Sequence, residues 1–199
     1  MLSSRRKRRT IVWNKKRLWP VVVITAILIA AAFELHNQGR LWICACGRVL
    51  LWAGNICSSD NSQHFLDPYS FTHLLHGFAF CGLLALIVPR VGARWRLSIA
   101  ILLEALWEII ENSEYVIARY REATAALGYH GDTVLNSLGD ITACGAGFLL
   151  AQRLGLWRSL ILFVAIEALL TIWIRDSLIL EIIMLLHPIN AIKAWQLCP

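Results

Sequence analysis

The stretch "LLEALWEIIENSEY", Leu102 to Tyr115, sets four carboxylates in fourteen positions between strongly apolar flanks. Read as a helix, Glu104, Glu108 and Glu111 follow at i, i+4 and i+7 and fall within about 60° of one another, with Asn112 beside them. If the flanks place this helix in a bilayer, Glu104 lies some eight residues into the span, about 12 Å deep at 1.5 Å per residue. An ionised side chain at that depth costs about 2.5–3.5 kcal/mol on insertion scales. A stripe of three acids is therefore a demand for partners on neighbouring helices.

The rest of the chain supplies the bilayer context. Of 199 residues, 58% are hydrophobic and 16% charged, with a mean hydropathy of +0.59. A soluble domain of this length carries about a quarter charged residues. Apolar runs of span length occur five times, at residues 19–35, 70–88, 97–115, 136–152 and 156–174. The expected fold is all-α: a polytopic helical membrane protein of five transmembrane helices in one domain (19–199), preceded by a basic segment (1–18). The tail "SLILEIIMLLHPINAIKAWQ" has an apolar core too short to span, and Pro188 interrupts it; a re-entrant or interfacial helix is expected there.

Orientation follows the short-loop basic residues. Eight Lys or Arg lie in the first 17 positions: Arg5, Arg6, Lys7, Arg8, Arg9, Lys15, Lys16 and Arg17. Arg90, Arg94 and Arg96 follow the second span, and Arg153 and Arg158 follow the fourth. Alternation puts all of them on one side. The N-terminus is then cytoplasmic, and the loops 36–69 and 116–135 and the C-terminus are periplasmic. Arg119 and Arg121 run against the trend. "SRRKRR" is twin-arginine-like, but the continuing spans make the first one an anchor. The basic cluster reads as that anchor's flank, not as a nucleic-acid surface. Trp13, Trp19, Trp42, Trp52, Trp95 and Trp157 fall near span ends, as interfacial belts do.

The acidic stripe has counterparts. Ser70, His73, His76 and Gly77 share one face of the second span; Asp132, Asn136 and Asp140 follow i, i+4, i+8 into the fourth; Arg175 and Asp176 follow the fifth. Under this threading all sit at or above the midplane on the outer side. Gly139, Ala143 and Gly147 make a small-xxx-small ridge that lets another helix approach.

Three functions compete for this cluster. It could be structural, its acids paired with histidines and Arg175, in a scaffold or assembly factor. It could conduct protons or ions, with Glu104 and Glu167 as the deep groups. It could line a pocket that binds or processes an envelope lipid or lipid-linked substrate. An enzyme version is a membrane-embedded hydrolase or transferase, with Glu108, Glu111 and His76 as acid–base groups and Arg175 as an anion clamp. Burial beside like charge favours a neutral glutamic acid in the stripe. His73 and His76 could share a divalent metal, although no HExxH is present and the metal signal is weak.

The outer loop holds Cys44, Cys46 and Cys57, with Cys198 on the same side, in a compartment that permits disulfides. Cys44 or Cys46 joined to Cys57 would close a loop of about a dozen residues, worth ~3 kcal/mol. A C-x-C metal site is the alternative. Cys81 and Cys144 read as intramembrane packing residues. His64 and Asp67 would cap the cluster from above.

The segments "CACG", "SSDNSQHFLDPYSFTHLLHGF", "EALWEIIENSEYVIARYREAT", "YHGDTVLNSLGD" and "IRDSLILEIIMLLHPINAIKAWQ" together resemble a family of uncharacterised bacterial multi-pass inner-membrane proteins with a domain of unknown function, over residues 40 to 196. The resemblance implies an inner-membrane location and supplies no reaction. It covers Asn61 to His64, His73, His76, Gly77, Glu104, Trp107, Glu108, Glu111, Asn112, Gly131, Asp132, Asn136, Ser137, Asp140, Arg175 and Asp176; Ser177 and Glu181 depart from the pattern, where the family has Asn. More distantly, the acidic pair and the D…N…D helix resemble VanZ-like membrane proteins.

Overall fold

The computed structural model describes residues 15–124 and 128–197. Eight helices and no strands occur among them: α1 (Lys15–Asn37), α2 (Ser70–Ile87), α3 (Ala93–Glu111), α4 (Glu114–Ala123), α5 (Val134–Leu154), α6 (Leu156–Trp173), α7 (Leu178–Leu186) and α8 (Asn190–Gln196). The protein is an all-α helical membrane protein. Residues 18–37, 70–87, 134–154 and 156–173 are each long and apolar enough to cross a bilayer. α3 has 19 residues, about 28 Å at 1.5 Å per residue. Arg94, Arg96 and its three glutamates lower its hydropathy, yet Leu102, Leu103, Leu106 and Ile110 leave one side of it apolar and exposed. The apolar run does not continue to Tyr115. Asn112 ends α3, and the Ser113 hydroxyl accepts from Val116 N–H to start α4.

The tightest pair is α2 with α5, and small residues account for it. A Cβ on Gly147 would stand 2.0 Å from the Leu74 carbonyl oxygen, and one on Gly77 2.0 Å from that of Cys144. The two backbones touch where larger residues would hold them apart. Gly139, the first residue of the same ridge, meets the Phe65 carbonyl in the loop between α1 and α2 rather than a helix. α3 lies across this pair, with Ile101 and Ala105 packed on Ile141 and Ala31, and Ala100 on Phe148 and Leu84. Gly147→Val is expected to destabilise the protein by about 1–3 kcal/mol, the usual cost of forcing atoms into a filled contact. Gly82→Ala, with nothing within 4 Å of the new Cβ, should be neutral or stabilising by up to about 1 kcal/mol. Thermal unfolding in detergent compares them; equal effects would refute the close-approach account.

The C-terminal segment breaks at His187–Pro188 into two helices, each too short to span. α7 is held by its neighbours' polar groups. Glu167 of α6 accepts from Leu178 N–H at 3.1 Å and Ile179 N–H at 3.2 Å, capping α7 from another helix. Arg119 Nε donates to the Leu185 carbonyl at 2.9 Å, and Lys193 Nζ to that of Glu122. Arg121 Nε donates to the Tyr129 carbonyl at 2.5 Å. The basic residues that run against the charge trend on this side thus serve carbonyl groups of the fold.

Trp19, Trp42, Trp52, Trp95 and Trp157 are exposed near helix ends, and Trp52 stacks on Trp173 at 6.3 Å. Trp13 lies outside the described residues.

Candidate functional site

The end of the bundle that carries the loop between α1 and α2 gathers the polar groups. The ends of α3 and α6, the starts of α2 and α5 and the segments 58–69 and 128–133 meet there. The basic turns α2–α3 and α5–α6 lie at the opposite end.

The deepest layer joins α2 to α3. His73 Nδ1 lies 2.6 Å from Glu104 Oε1, and His76 Nδ1 lies 3.0 Å from both Glu104 oxygens. Glu104 and Glu108 are each 0% exposed. Glu108 Oε1 lies 3.2 Å from His73 Nδ1, but neither of its oxygens has a hydrogen-bond partner. Asp140 on α5 accepts from Ser70 Oγ at 2.6 Å. The i, i+4, i+7 stripe of α3 therefore faces the histidines of α2 and the aspartate of α5.

The next layer is built on amides. Asn112 Nδ2 donates to the Glu108 carbonyl at 3.1 Å and to Asp132 Oδ2 at 2.9 Å, while its Oδ1 accepts from Asp132 N–H at 2.7 Å. Gly131, at φ 90°, turns the chain so that this two-way bond can form. The Tyr129 hydroxyl donates to Asp132 Oδ1 at 3.0 Å, and that of Tyr120 to Glu111 Oε1 at 3.0 Å. Asn136 donates to the His64 carbonyl at 2.8 Å. Asp67 accepts from Ser62 N–H at 2.9 Å and Tyr69 N–H at 2.8 Å.

Two cavities meet at this cluster. The first, of about 720 Å³, is walled by Asp67, His73, Glu111, Asp132, Asn136, Asp140 and Asp176 among the residues expected from sequence, and also by Gln63, Glu181 and three tyrosines, Tyr69, Tyr120 and Tyr129. The second, of about 500 Å³, is lined by Leu103, Leu106, Trp107 and Ile110 of α3 and Leu178, Ile182 and Leu185 of α7, with His76 and Phe80. His73, Glu111, Tyr120 and Glu181 border both. The polar chamber thus has an apolar annex between α3 and α7.

Ser70, Glu104, Glu108 and Asn112 stand behind the chamber wall as its buried support. His64 belongs to the loop between α1 and α2: it is 1% exposed, its Nδ1 accepts from Leu50 N–H at 3.4 Å, and its Nε2 points toward Asp60, 3.7 Å away. Arg175 does not line the chamber. It is exposed and donates to the Trp195 carbonyl at 3.1 Å, so an anion clamp there is corrected. Its backbone, at φ 57°, turns the chain so that Asp176, not Arg175, faces inward. Both Glu167 oxygens accept from backbone N–H groups at the start of α7.

In the loop, Cys44 pairs with Cys46, so neither closes the dozen-residue loop to Cys57. Cys198 lies outside the described residues. Cys144 is buried and Cys81 half-buried, both as free thiols.

Burial sets the charge of the carboxyls outside the spans. It raises Asp67 and Asp132 above the usual range; the neighbouring Asp132 adds to the rise for Asp67, and hydrogen bonds only partly offset both. Asp176 is pushed up to about 7 by burial, against bonds from Ser177 N–H and the Tyr69 hydroxyl. A carboxyl whose folded value is raised holds its proton in the native state after the unfolded chain has lost it. Folding stability therefore falls as pH rises from 3.8 to about 7. The melting temperature should drop across that window, and Asp176→Asn should flatten the drop; an unchanged slope in that variant would contradict the assignment.

The fold and the chamber define the class first: a helical membrane protein with a buried acidic cluster at one end of its bundle. A family model described as a protein of unknown function (DUF2585) matches residues 35–198. The chain is 46% identical over 181 residues to a UPF0314 protein of Paracoccus denitrificans, covering 91% of this chain and 94% of that one. It is 45% identical to a UPF0314 protein of Sinorhizobium fredii over 92% of this chain and 94% of that one, and 48% identical to one of Sphingopyxis alaskensis over 89% and 94%. The chain belongs to this DUF2585 (UPF0314) family. No solved structure matches it.

Proposed function

We propose that the protein is a five-span bacterial inner-membrane protein that binds an envelope lipid or lipid-linked substrate in a chamber facing the periplasm. α3 is the fifth span, its acids turned inward and its leucines turned to lipid. The amino end is cytoplasmic and the carboxyl end periplasmic, because the basic turns lie opposite the chamber.

One observation carries the reading: a polar chamber and an apolar annex share a border of four side chains. An amphiphile needs that pairing, a polar site for its head and an apolar groove for its chain. The annex walls continue into the exposed leucines and isoleucines of α3 and α7, which gives a chain a lateral way in from the bilayer. In an enzymatic version Glu111, bordering both cavities, is the acid–base group nearest the head, with Glu108 and His76 behind it. Native mass spectrometry of the purified protein should find one phospholipid or lipid-linked molecule retained per chain. Protein that stays lipid-free on gentle extraction would refute the reading.

A scaffold or assembly role is favoured by a different observation, the reciprocal bonding of Asn112 and Asp132, which holds helices in register without a ligand. It predicts that Glu108→Gln lowers abundance with no selective loss of activity in the protein that remains. A transport role finds less support, because Glu167 is engaged on α7 and the remaining acids stop at Glu104.

A further inference from the structure

Three buried carboxylates, Glu104, Glu108 and Asp140, face two imidazoles in the deepest layer. Their donors do not suffice. Glu104 receives His73 and His76, and Asp140 receives Ser70. His73 has one Nδ1, and it stands 2.6 Å from Glu104 against 3.2 Å from Glu108. A single proton there serves one of the two. Glu108, fully buried, is left with both oxygens unbonded. An unanswered carboxylate at that depth is among the most costly groups a fold can hold.

We propose that His73, Glu108 and Asp140 hold a divalent first-row transition ion at the floor of the chamber. Their ligating atoms lie within 4.8 Å of one another. Bonds of about 2.0–2.2 Å from nitrogen and oxygen ligands hold ligand atoms about 3–3.6 Å apart, so an ion draws this triangle in by up to about 1 Å. One imidazole with two carboxylates suits zinc, manganese or ferrous iron better than magnesium or calcium, which favour all-oxygen sets. The three ligands come one each from α2, α3 and α5, so the ion pins the three helices that pack the core. His76, 3.0 Å from both Glu104 oxygens, keeps that carboxylate paired when His73 turns to the ion. His73 and Asp140 also border the chamber, so the ion's remaining positions face it. An ion there would let so acidic a chamber accept a phosphate-bearing headgroup; this last step rests on the lipid reading above, the ion site does not.

The test uses full-length protein in detergent, stripped with a chelator, equilibrated with manganese or zinc and desalted. Elemental analysis should find one ion per chain. Glu108→Gln and Asp140→Asn should each lower retention at least about tenfold, since even outer-shell partners of a metal are worth that much. Asp60→Asn, in the separate Cys44–Cys46–Asp60–His64 group of the outer loop, should leave it unchanged. Wild-type protein that retains no ion overturns the proposal without any variant, and so does retention lost in Asp60→Asn but kept in Glu108→Gln. Lipid is measured on the same samples. Ion without lipid sinks only the lipid reading; lipid without ion sinks only this one.

Discussion

Replacing Leu106 and Ile182 together with tryptophan is expected to strip the protein of lipid while leaving it folded. The two residues stand one on each wall of the apolar annex, on α3 and α7. Both are about half exposed, at 47% and 49%, so the larger side chains overpack no buried contact. Two indoles would occupy the groove where a hydrocarbon chain would lie. Displacing three methylenes at about 0.8 kcal/mol each costs about 2.4 kcal/mol, a factor of roughly 50 in affinity. Native mass spectrometry of wild type and double variant, extracted identically, reads the difference. Unchanged lipid content with an unchanged melting temperature would mean that the annex is not where the chain lies.

His73→Ala is expected to be the most destabilising single substitution in the cluster. The imidazole is 7% exposed, stands against both Glu104 and Glu108 and is a member of both buried ligand groups. Removing one partner of a buried charged set costs about 3–5 kcal/mol, chiefly from the charge left behind. Total stabilities of about 5–15 kcal/mol leave little margin for that. The double variant His73→Ala/Glu108→Gln removes the orphaned charge and should recover a large part of the loss. Thermal unfolding of wild type, the two single variants and the double variant closes the cycle. Additive losses, with no recovery in the double variant, would show that His73 and Glu108 do not answer each other.

The stripe Glu104, Glu108 and Glu111 was legible from spacing alone, because helical period fixes which side chains share a face. Helix ends were legible where hydropathy changes sharply: residues 70–88 became Ser70–Ile87 and 156–174 became Leu156–Trp173. The break at Asn112 was hidden, since the apolar pattern runs on toward Tyr115; the signal present was Ser113, a good N-cap, ahead of Glu114. Three chamber tyrosines went unseen and Glu181 was given no place in the cluster, because loops and short helices carry no period to place them. Arg175 and Asp176 differ inward from outward through one positive φ, and no pattern of residue types encodes that. The cross-helix cap by Glu167 was equally out of reach, as it depends on where α7 docks.

The bridge from Glu104 to the two histidines of α2 also bears on how the chain is made. Three acids would each resist partitioning from water into lipid by about 2.5–3.5 kcal/mol if α3 left the translocon alone. Its imidazole partners belong to the segment synthesised just before it and joined to it by the short turn 88–92. On the five-span reading proposed above, α2 and α3 are expected to enter the bilayer as one hairpin with Glu104 already paired, and α5 to close over them afterwards.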